Sequence, residues 1–189
     1  MMNRKEQIVD VATELVQTRG YSAFSYQDLS DRLGITKASI HHHFPTKEDL
    51  GKAVAEKYSA EVRETLSTAE RKSDDPWVQM EGYFQLVLDI IKTQDRICAA
   101  GSVQSEINVV PKPMGKSMCS LVQYVTGWIS EVIKRGRANG VMDFPGTPEN
   151  QAALIFSAAQ GAMQYGRAQG EQKGRAVMKQ IKETLKPRK

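Results

Sequence analysis

Three consecutive histidines, His41, His42 and His43, are the side chains whose type and spacing most suggest chemistry, and this 189-residue chain has no others. Imidazole nitrogens bind transition metals, transfer protons near neutral pH and donate hydrogen bonds. The three residues lie in the stretch GITKASIHHHFPTKEDL, which runs from Gly34 to Leu50. Whether they bind a metal, bind another partner or only fill a helix depends on the element that carries them.

Three consecutive histidines on a helix cannot all bind the same metal ion. Neighbouring side chains on a helix point about 100° apart, so i and i+1 residues do not face each other. A zinc site on a helix needs ligands at i, i+3 or i+4, or ligands from elsewhere. Every histidine is used here, and neither Cys98 nor Cys119 lies nearby in the sequence. We therefore expect no metal site and no cofactor.

Composition places the chain among soluble globular proteins. Charged residues make up 25% of it and hydrophobic residues 40%, which is ordinary for that class. No apolar run reaches the roughly 18 residues that suggest a membrane-spanning helix. The N-terminus, MMNRKEQIVD, lacks the apolar core of a signal peptide, and two cysteines are too few for a disulfide framework. We expect a cytoplasmic protein without a membrane partner.

The net charge of +4 is unevenly distributed. Residues 1–57 carry eight Lys or Arg against eight Asp or Glu, whereas residues 171–189 carry seven basic residues against two acidic ones. Basic segments often bind nucleic acid, but a solvated helix face is the simpler interpretation of this tail. DNA binding near the N-terminus would therefore depend on local geometry.

The spacing of apolar residues is helical almost throughout, and no segment alternates as a strand does. Ile8, Ala12 and Leu15 form one stripe of a first helix, which Gly20 ends. Asp75-Pro76 and Thr147-Pro148 each supply a helix cap followed by proline at the first helical position. These patterns predict an all-α protein of about nine helices, with a three-helix N-terminal domain before a C-terminal helical bundle.

Two short helices joined by a glycine turn are predicted near the N-terminus, at Tyr26–Leu33 and Lys37–His43. Helix, short turn and helix form the helix-turn-helix arrangement, in which the N-terminal residues of the second helix contact base edges in the major groove. The residues available to pack the pair together are Leu29, Leu33, Ile35 and Ile40. The residues left outward on the second helix are Lys37, Ala38, Ser39 and His42.

The stretch SAFSYQDLSDRLGITKASIHHHFPTKEDL resembles the DNA-binding signature of the TetR family of bacterial transcriptional repressors. The shared features are the Gly-Ile-Thr turn, a second helix that runs to Phe44, and the Lys-Glu-Asp-Leu sequence from Lys47. The specific match covers about residues 4 to 57. The resemblance implies a helix-turn-helix domain at residues 1–48 and an effector-binding and dimerisation domain at residues 49–189.

The resemblance also assigns roles to single residues. It implies base or groove contacts for Gln27, Lys37, Ala38 and Ser39, beside the outward His42. It implies phosphate contacts for Tyr26, Thr36, His41 and Lys47. Four of them have a plainer interpretation: Thr36 as a helix cap only, and Tyr26, Gln27 and Lys47 as ordinary surface residues. Relatives usually carry tyrosine where this chain has His41 and His43. Because histidine gains a charge on protonation, operator binding should strengthen as the pH falls.

The C-terminal bundle is expected to enclose an effector pocket, as the resemblance implies. Aromatic and methionine side chains suit a small apolar or amphipathic ligand, although any of them could simply form core. The candidate lining residues are Met80, Phe84, Cys98, Met118, Tyr124, Trp128 and Met163. The polar candidates nearby, which would either orient a ligand or simply face water, are Gln104, Glu106, Asn108 and Gln123. The resemblance also makes Cys98 a candidate redox sensor, since Arg96 nearby would stabilise its thiolate, with space filling as the alternative.

Small residues recur along the helix that begins at Thr147-Pro148, and they would let two helices approach closely. The resemblance implies that this helix and the last one form a homodimer contact across a two-fold axis; packing within one protomer is the alternative. The candidate interface residues are Leu154, Ser157, Ala158, Gly161, Ala162 and Tyr165.

Together these features predict a ligand-responsive repressor. It would bind a palindromic double-stranded DNA operator as a dimer and be released by a small-molecule or electrophilic effector. The alternatives are an all-helical enzyme and a helical adaptor that does not bind DNA. We do not expect an enzyme, because no catalytic triad, metal spacing or glycine-rich phosphate loop is apparent.

Overall fold

The computed structural model describes residues 3–187, and within that range it has nine α-helices and no strand. The predicted all-α fold class is confirmed. The helices are α1 (Arg4–Arg19), α2 (Tyr26–Leu33), α3 (Lys37–His43), α4 (Lys47–Lys72), α5 (Pro76–Lys92), α6 (Ala99–Ser105), α7 (Lys112–Ala138), α8 (Pro148–Gln169) and α9 (Glu171–Glu183). Arg188 and Lys189, part of the basic tail, lie outside the described residues.

Packing divides the chain into two units. The first unit contains the chain up to Glu61 together with Ala99–Leu121, and the second contains Val62–Cys98 and the chain from Val122 onward. The boundaries therefore fall inside α4 and α7, and at the start of α6. This division by packing differs from the predicted functional division at residues 48 and 49, which stays a prediction.

The core of the first unit grows from the apolar stripe of α1. Ile8, Ala12 and Leu15 are fully buried, as are Leu29 on α2 and Ile40 on α3. Burying one such aliphatic side chain stabilises a fold by roughly 1.5–3 kcal/mol. The helix-turn-helix pair is therefore held by an apolar centre that α1 supplies.

Helix α6 belongs to this same unit and contacts α1. Its Ser102 hydroxyl, which is buried, donates to the backbone carbonyl of Val16 at 2.8 Å. Val103 on α6 and Met114 on α7 are fully buried. A segment far along the chain therefore completes the packing around α1.

In the second unit, α8 and α9 pack closely against each other, and both contact α5. Gly166 and Gly174 permit this approach, because a Cβ on Gly174 would lie 2.7 Å from the carbonyl oxygen of Ala162. Contact at that distance with backbone atoms leaves no room for a side chain. Met80, Ile91 and Met163 are among the buried residues of this core.

Several predicted helix ends are confirmed by their cap geometry. Gly20 has a φ of 93° and ends α1, and Asp75 accepts a hydrogen bond from the Trp77 amide at 2.8 Å ahead of Pro76. Thr147 accepts from the Asn150 amide at 3.2 Å before Pro148. Such caps satisfy amides that have no partner within the helix. None of the described helices is long and apolar enough to cross a membrane.

Candidate nucleic-acid interface

Local capping fixes the start of α2 and the turn that follows it. The Ser25 amide donates to the Asp28 carboxylate at 2.8 Å as part of the predicted capping box, and the Ser25 hydroxyl donates to the same carboxylate at 2.7 Å. Gly34 adopts a left-handed conformation with a φ of 63°, where a glycine avoids strain. The bounds of α2 and α3 match those predicted from the sequence.

Polar contacts also hold the turn between α2 and α3. The Ser30 hydroxyl donates to the Ile35 carbonyl at 2.5 Å, and the Ile35 amide donates to the Ser30 carbonyl at 3.3 Å. Thr36 then caps α3, because its hydroxyl oxygen accepts from the Ser39 amide at 3.2 Å. The angle between the helices is thus set by bonds on both sides of the turn.

Apolar packing between α2 and α3 is concentrated on two residues. Leu29 and Ile40 are fully buried. Leu33 and Ile35, also predicted to pack the pair, are only half-buried. They shield the edge of the contact and do not form its centre.

The first turn of α3 presents the predicted reading residues. Thr36, Lys37 and Ala38 are exposed, and Ser39 is half-buried. Gln27 on α2 is exposed as well, with its side-chain amide donating to Asp31 at 2.6 Å. Thr36, Lys37 and Ala38 thus form one short exposed segment on a braced scaffold, with Gln27 exposed on the preceding helix, and their contacts with bases remain predictions.

Tyr26 occupies a different environment from the one its predicted phosphate contact requires. Its ring is buried, and its hydroxyl donates to the Phe44 carbonyl at 2.8 Å. Burial, reinforced by the nearby Asp49 carboxylate, raises the pKa of Tyr26 to about 12. Phosphate only accepts hydrogen bonds, and the phenolic hydrogen is already committed. We therefore revise the role of Tyr26 from a phosphate contact to a support for α3.

Lys47 is similarly turned inward. Its Nζ donates to the Phe24 carbonyl and lies 4.6 and 4.4 Å from the ring centroids of Tyr21 and Phe24. Burial lowers the pKa of Lys47 below its usual range. Its ammonium thus binds the α1–α2 turn. A phosphate contact here would use the start of α4, where Thr46 already caps the Asp49 amide at 3.1 Å.

The three histidines do not converge on one point. The His41 ring packs against Tyr26 with centroids 4.6 Å apart, whereas the rings of His42 and His43 meet edge to face at 5.4 Å. The His41 Nδ1 lies 3.2 Å from the Pro45 carbonyl. Because a carbonyl only accepts, Nδ1 carries the hydrogen in this contact, and Nε2 becomes a donor only on protonation. Residues 3–187 include no group of three or more His, Cys, Asp or Glu that could hold a metal ion.

Lys5 is a cation near this segment that the sequence reasoning missed. It is exposed, and its Nζ lies 5.5 Å from the centroid of the Phe44 ring, just beyond α3. Helical periodicity could have indicated its position, because Lys5 precedes the buried Ile8 and Val9 by three and four residues and therefore lies on the same side of α1. Lys5 therefore adds positive charge beside a helix whose unit has little net charge of its own.

A braced pair of short helices with an exposed, polar first turn on the second one defines a helix-turn-helix DNA-binding protein. Residues 8–54 match the family model described as bacterial regulatory proteins of the tetR family. Residues 8–54 therefore form a DNA-binding domain of the tetR family, and the chain is a DNA-binding transcriptional regulator of the TetR type.

Relatives extend this similarity beyond the N-terminal segment. The transcriptional repressor DhaR of Mycobacterium sp. strain GP1 is 22% identical over 160 residues, which cover 84% of this chain and 80% of DhaR. The repressor NemR of Escherichia coli K12 is 24% identical over 164 residues, 84% of this chain and 81% of NemR. A TetR-family regulator from Agrobacterium tumefaciens has a solved structure with a TM-score of 0.91 at 29% identity, covering 97% of each chain.

The residues predicted to line an effector pocket are not all brought together. Met118 belongs to the first unit, whereas the other six belong to the second. Met80, Phe84, Trp128 and Met163 are buried and Tyr124 is half-buried. An open groove of about 610 Å³ between α4 and α5 is lined by none of the seven. Six of the seven therefore belong to the second unit, and the effector pocket that the set was predicted to line stays a prediction.

Several polar and ionisable side chains bear on ligand chemistry. The Trp128 indole nitrogen is buried and has no hydrogen-bond partner among the described residues. The Arg63 guanidinium lies 3.9 Å from the centroid of the Tyr124 ring. Cys98 is buried and Cys119 is exposed. Burial also raises the pKa of Tyr83, with the Cys98 thiol as a second cause.

The predicted dimer residues are mostly accessible in this protomer. Leu154 and Tyr165 are 61% and 46% exposed, Ser157 and Gly161 are exposed, and Ala158 is half-buried. Ala162 is the exception, because it is fully buried where α8 meets α9. It packs within the protomer, and we remove it from the candidate interface.

Proposed function

We propose that this protein is a repressor that binds a palindromic DNA operator as a homodimer and releases it when a small-molecule effector binds. The exposed first turn of α3, held on a capped and buried scaffold, is the observation that carries the proposal. That the protein represses transcription, and does not activate it, is supported by its similarity to DhaR and NemR, both described as transcriptional repressors. The protein would act on chromosomal DNA in the cytoplasm, and we expect no catalytic activity.

The reading contacts follow from the chemistry of the exposed residues. Lys37 can donate to the O6 and N7 acceptors of guanine, and the Ala38 methyl can contact the methyl group of thymine. Gln27 can pair with adenine if it leaves Asp31. Thr36, Ser39, His41 and His42 supply further donors for bases or phosphates. In this arrangement the base contacts of α3 determine which sequence is bound, and the phosphate contacts around α3 position the protein on the DNA.

Dimerisation is supported by the exposed stripe on α8. Leu154, Ala158, Gly161 and Tyr165 follow one another at helical spacings of four, three and four residues, so they share a face. An exposed stripe of this kind suits a partner helix, and small residues permit close approach. A two-fold dimer would place its two α3 helices one helical turn of DNA apart or a multiple of it, about 34–36 Å per turn.

The effector would bind in the second unit. Its buried methionine and aromatic residues favour an apolar ligand, and the unpaired indole nitrogen of Trp128 favours one with a hydrogen-bond acceptor. Release of DNA requires that the ligand bind the non-DNA conformation more tightly than the DNA-bound one. An electrophile acting through Cys98 is a second candidate. Its test is N-ethylmaleimide treatment of wild type and Cys98→Ser, followed by measurement of DNA release.

Selection of DNA by the purified protein tests the proposed function. Wild-type protein should enrich a palindromic duplex from random-sequence DNA, and its affinity should fall log-linearly with salt. Lys37→Ala should weaken binding and reduce the salt slope by about one if the lysine meets phosphate, or relax base preference if it meets guanine. Lys52→Ala, on an exposed lysine of α4, is the matched control. Absence of any enriched duplex would favour the adaptor alternative.

A further inference from the structure

Residues 99–121 interrupt the second unit along the chain and pack in the first. They separate Val62–Cys98 from the chain beyond Val122, and both of those stretches belong to the second unit. The segment begins with α6, whose Ser102 bonds to the end of α1. Any rearrangement of the second unit therefore has a covalent route into the DNA-binding unit, at both ends of this segment.

Glu106, one residue beyond α6, makes the most specific contact of this segment. Its Oε2 accepts from the Ser22 amide at 2.8 Å and from the Ser22 hydroxyl at 2.5 Å, across 84 residues of sequence. Hydrogen bonds to a carboxylate are roughly twice as strong as bonds between neutral groups. Ser22 lies in the turn between α1 and α2, so this carboxylate holds the entry to the helix-turn-helix.

The turn is shaped to accept this carboxylate. A Cβ on Gly20 would collide with the Glu106 Oε1, and Gly20 also has a φ of 93°, which side chains rarely adopt. The glycine therefore serves two purposes, because it ends α1 and leaves room for the incoming side chain. Both the donors on Ser22 and the space at Gly20 fit a single acidic residue.

Glu106 also influences the start of α4. Its negative charge favours the charged form of Lys47 and opposes the burial that lowers the pKa of that lysine. Lys47 in turn donates to the Phe24 carbonyl, and the Tyr21 hydroxyl donates to the Lys47 carbonyl at 3.0 Å. Glu106 thus acts on the elements that precede and follow the helix-turn-helix.

We propose that Glu106 is a positioning residue for DNA binding, which holds Ser22 so that α2 and α3 keep the orientation that reads DNA. The inference rests on the proposed function, because it presupposes that the first unit binds DNA. Glu106 acts through Ser22 and Lys47, and it contacts no base. Glu106 was first predicted either to orient a ligand or to face water, and its hydrogen bonds to Ser22 favour the positioning role instead.

The test measures the affinity of full-length Glu106→Ala for the duplex that wild-type protein selects from random-sequence DNA. We expect a loss of at least about tenfold, because the variant loses both hydrogen bonds from Ser22 to the carboxylate. The slope of affinity against salt should be unchanged, because no phosphate contact is removed. Circular dichroism at the assay temperature should show that the variant is folded, and amide exchange should be faster at Ser22.

Conservative and paired variants separate positioning from general damage. Glu106→Gln keeps an acceptor oxygen and should retain affinity within about threefold. Ser22→Ala should weaken binding less than Glu106→Ala, and the double variant should be no weaker than Glu106→Ala alone, because the two share one interaction. Glu56→Ala, a glutamate of α4 with 61% of its side chain exposed, is the matched control and should bind as wild type.

Two results would overturn the inference. One is wild-type affinity in folded Glu106→Ala. The other is tighter binding by that variant, which would mean that the carboxylate only repels DNA. A wild-type protein that selects no duplex would instead refute the proposed function, and the inference with it. The Ser22 exchange rate would still report separately whether the carboxylate holds the turn.

Discussion

Tyr26, the first residue of α2, donates its phenolic hydrogen to the carbonyl of Phe44, the residue that ends α3, at 2.8 Å. The bond closes the helix-turn-helix across 18 residues of sequence. This polar contact adds to the apolar packing of the two helices, in which Leu29 and Ile40 are fully buried. The pair of helices is therefore fastened at its open end as well as at its turn.

Tyr26→Phe tests this fastening. Removing the hydroxyl leaves the Phe44 carbonyl without its donor, which should lower the free energy of unfolding by about 1–3 kcal/mol. Urea unfolding measures the change, with Tyr124→Phe as a control that alters a half-buried ring elsewhere. DNA binding by the folded variant should keep the wild-type salt slope. A reduced slope with unchanged stability would restore the phosphate contact first predicted for Tyr26.

The sequence was sufficient to predict the helices because their ends depend on local chemistry. The bounds of α2 and α3 follow from Ser25, Gly34 and Thr36, each of which acts within four residues of itself. Glu106 could not be found in this way, since its partner Ser22 lies 84 residues away. The orientation of the Lys47 side chain was missed for the same reason. A polar side chain that the helical pattern predicts to be exposed can still form hydrogen bonds with residues that are distant in the sequence.

The predicted pocket and interface show the same limit. Methionine and aromatic residues mark an interior, but the pattern does not say which interior, so Met118 was grouped with residues of another unit. Small residues on both faces of α8 made Ala162 resemble a dimer contact. Only the approach of α9 at Gly174 shows that this alanine is covered within the protomer.

His41→Phe tests whether the substituted histidine makes DNA binding sensitive to pH. Protonation of an imidazole adds a donor and a positive charge, so wild-type affinity should rise as the pH falls. His41→Phe keeps a ring against Tyr26 and should show a flatter profile. His43→Phe, at a half-buried position outside the predicted contacts, is the control. Identical profiles for wild type and His41→Phe would refute the idea.

Leu154→Glu tests the proposed dimer. Leu154 is 61% exposed on α8. In a two-fold dimer, the new carboxylate of each copy would be buried next to the same carboxylate of the other copy, without water and without an opposite charge. We expect light scattering to show a shift from dimer to monomer, with operator affinity reduced at least tenfold because only one half-site can be held. Val78→Glu, which adds the same charge at a 43% exposed position on α5, should remain dimeric. A dimeric Leu154→Glu would place the interface elsewhere.

Gly174→Ala should lower the free energy of unfolding and Gly127→Ala should raise it. The difference between the two tests how closely α8 and α9 pack. In Gly174→Ala the new Cβ would lie 2.7 Å from the Ala162 carbonyl oxygen and 3.1 Å from the Gly166 Cα. Backbone atoms cannot turn aside as a flexible side chain can, so α9 must shift, at a cost of about 1–3 kcal/mol.

Gly127 on α7 provides the matched control for this substitution. A Cβ there meets nothing within 4 Å, so Gly127→Ala should stabilise the helix by about 0.5–1 kcal/mol through reduced backbone entropy. Urea unfolding of both variants measures the difference. If Gly174→Ala were as stable as Gly127→Ala, α8 and α9 could separate at little cost, and Ala162 would return as a candidate for the dimer contact.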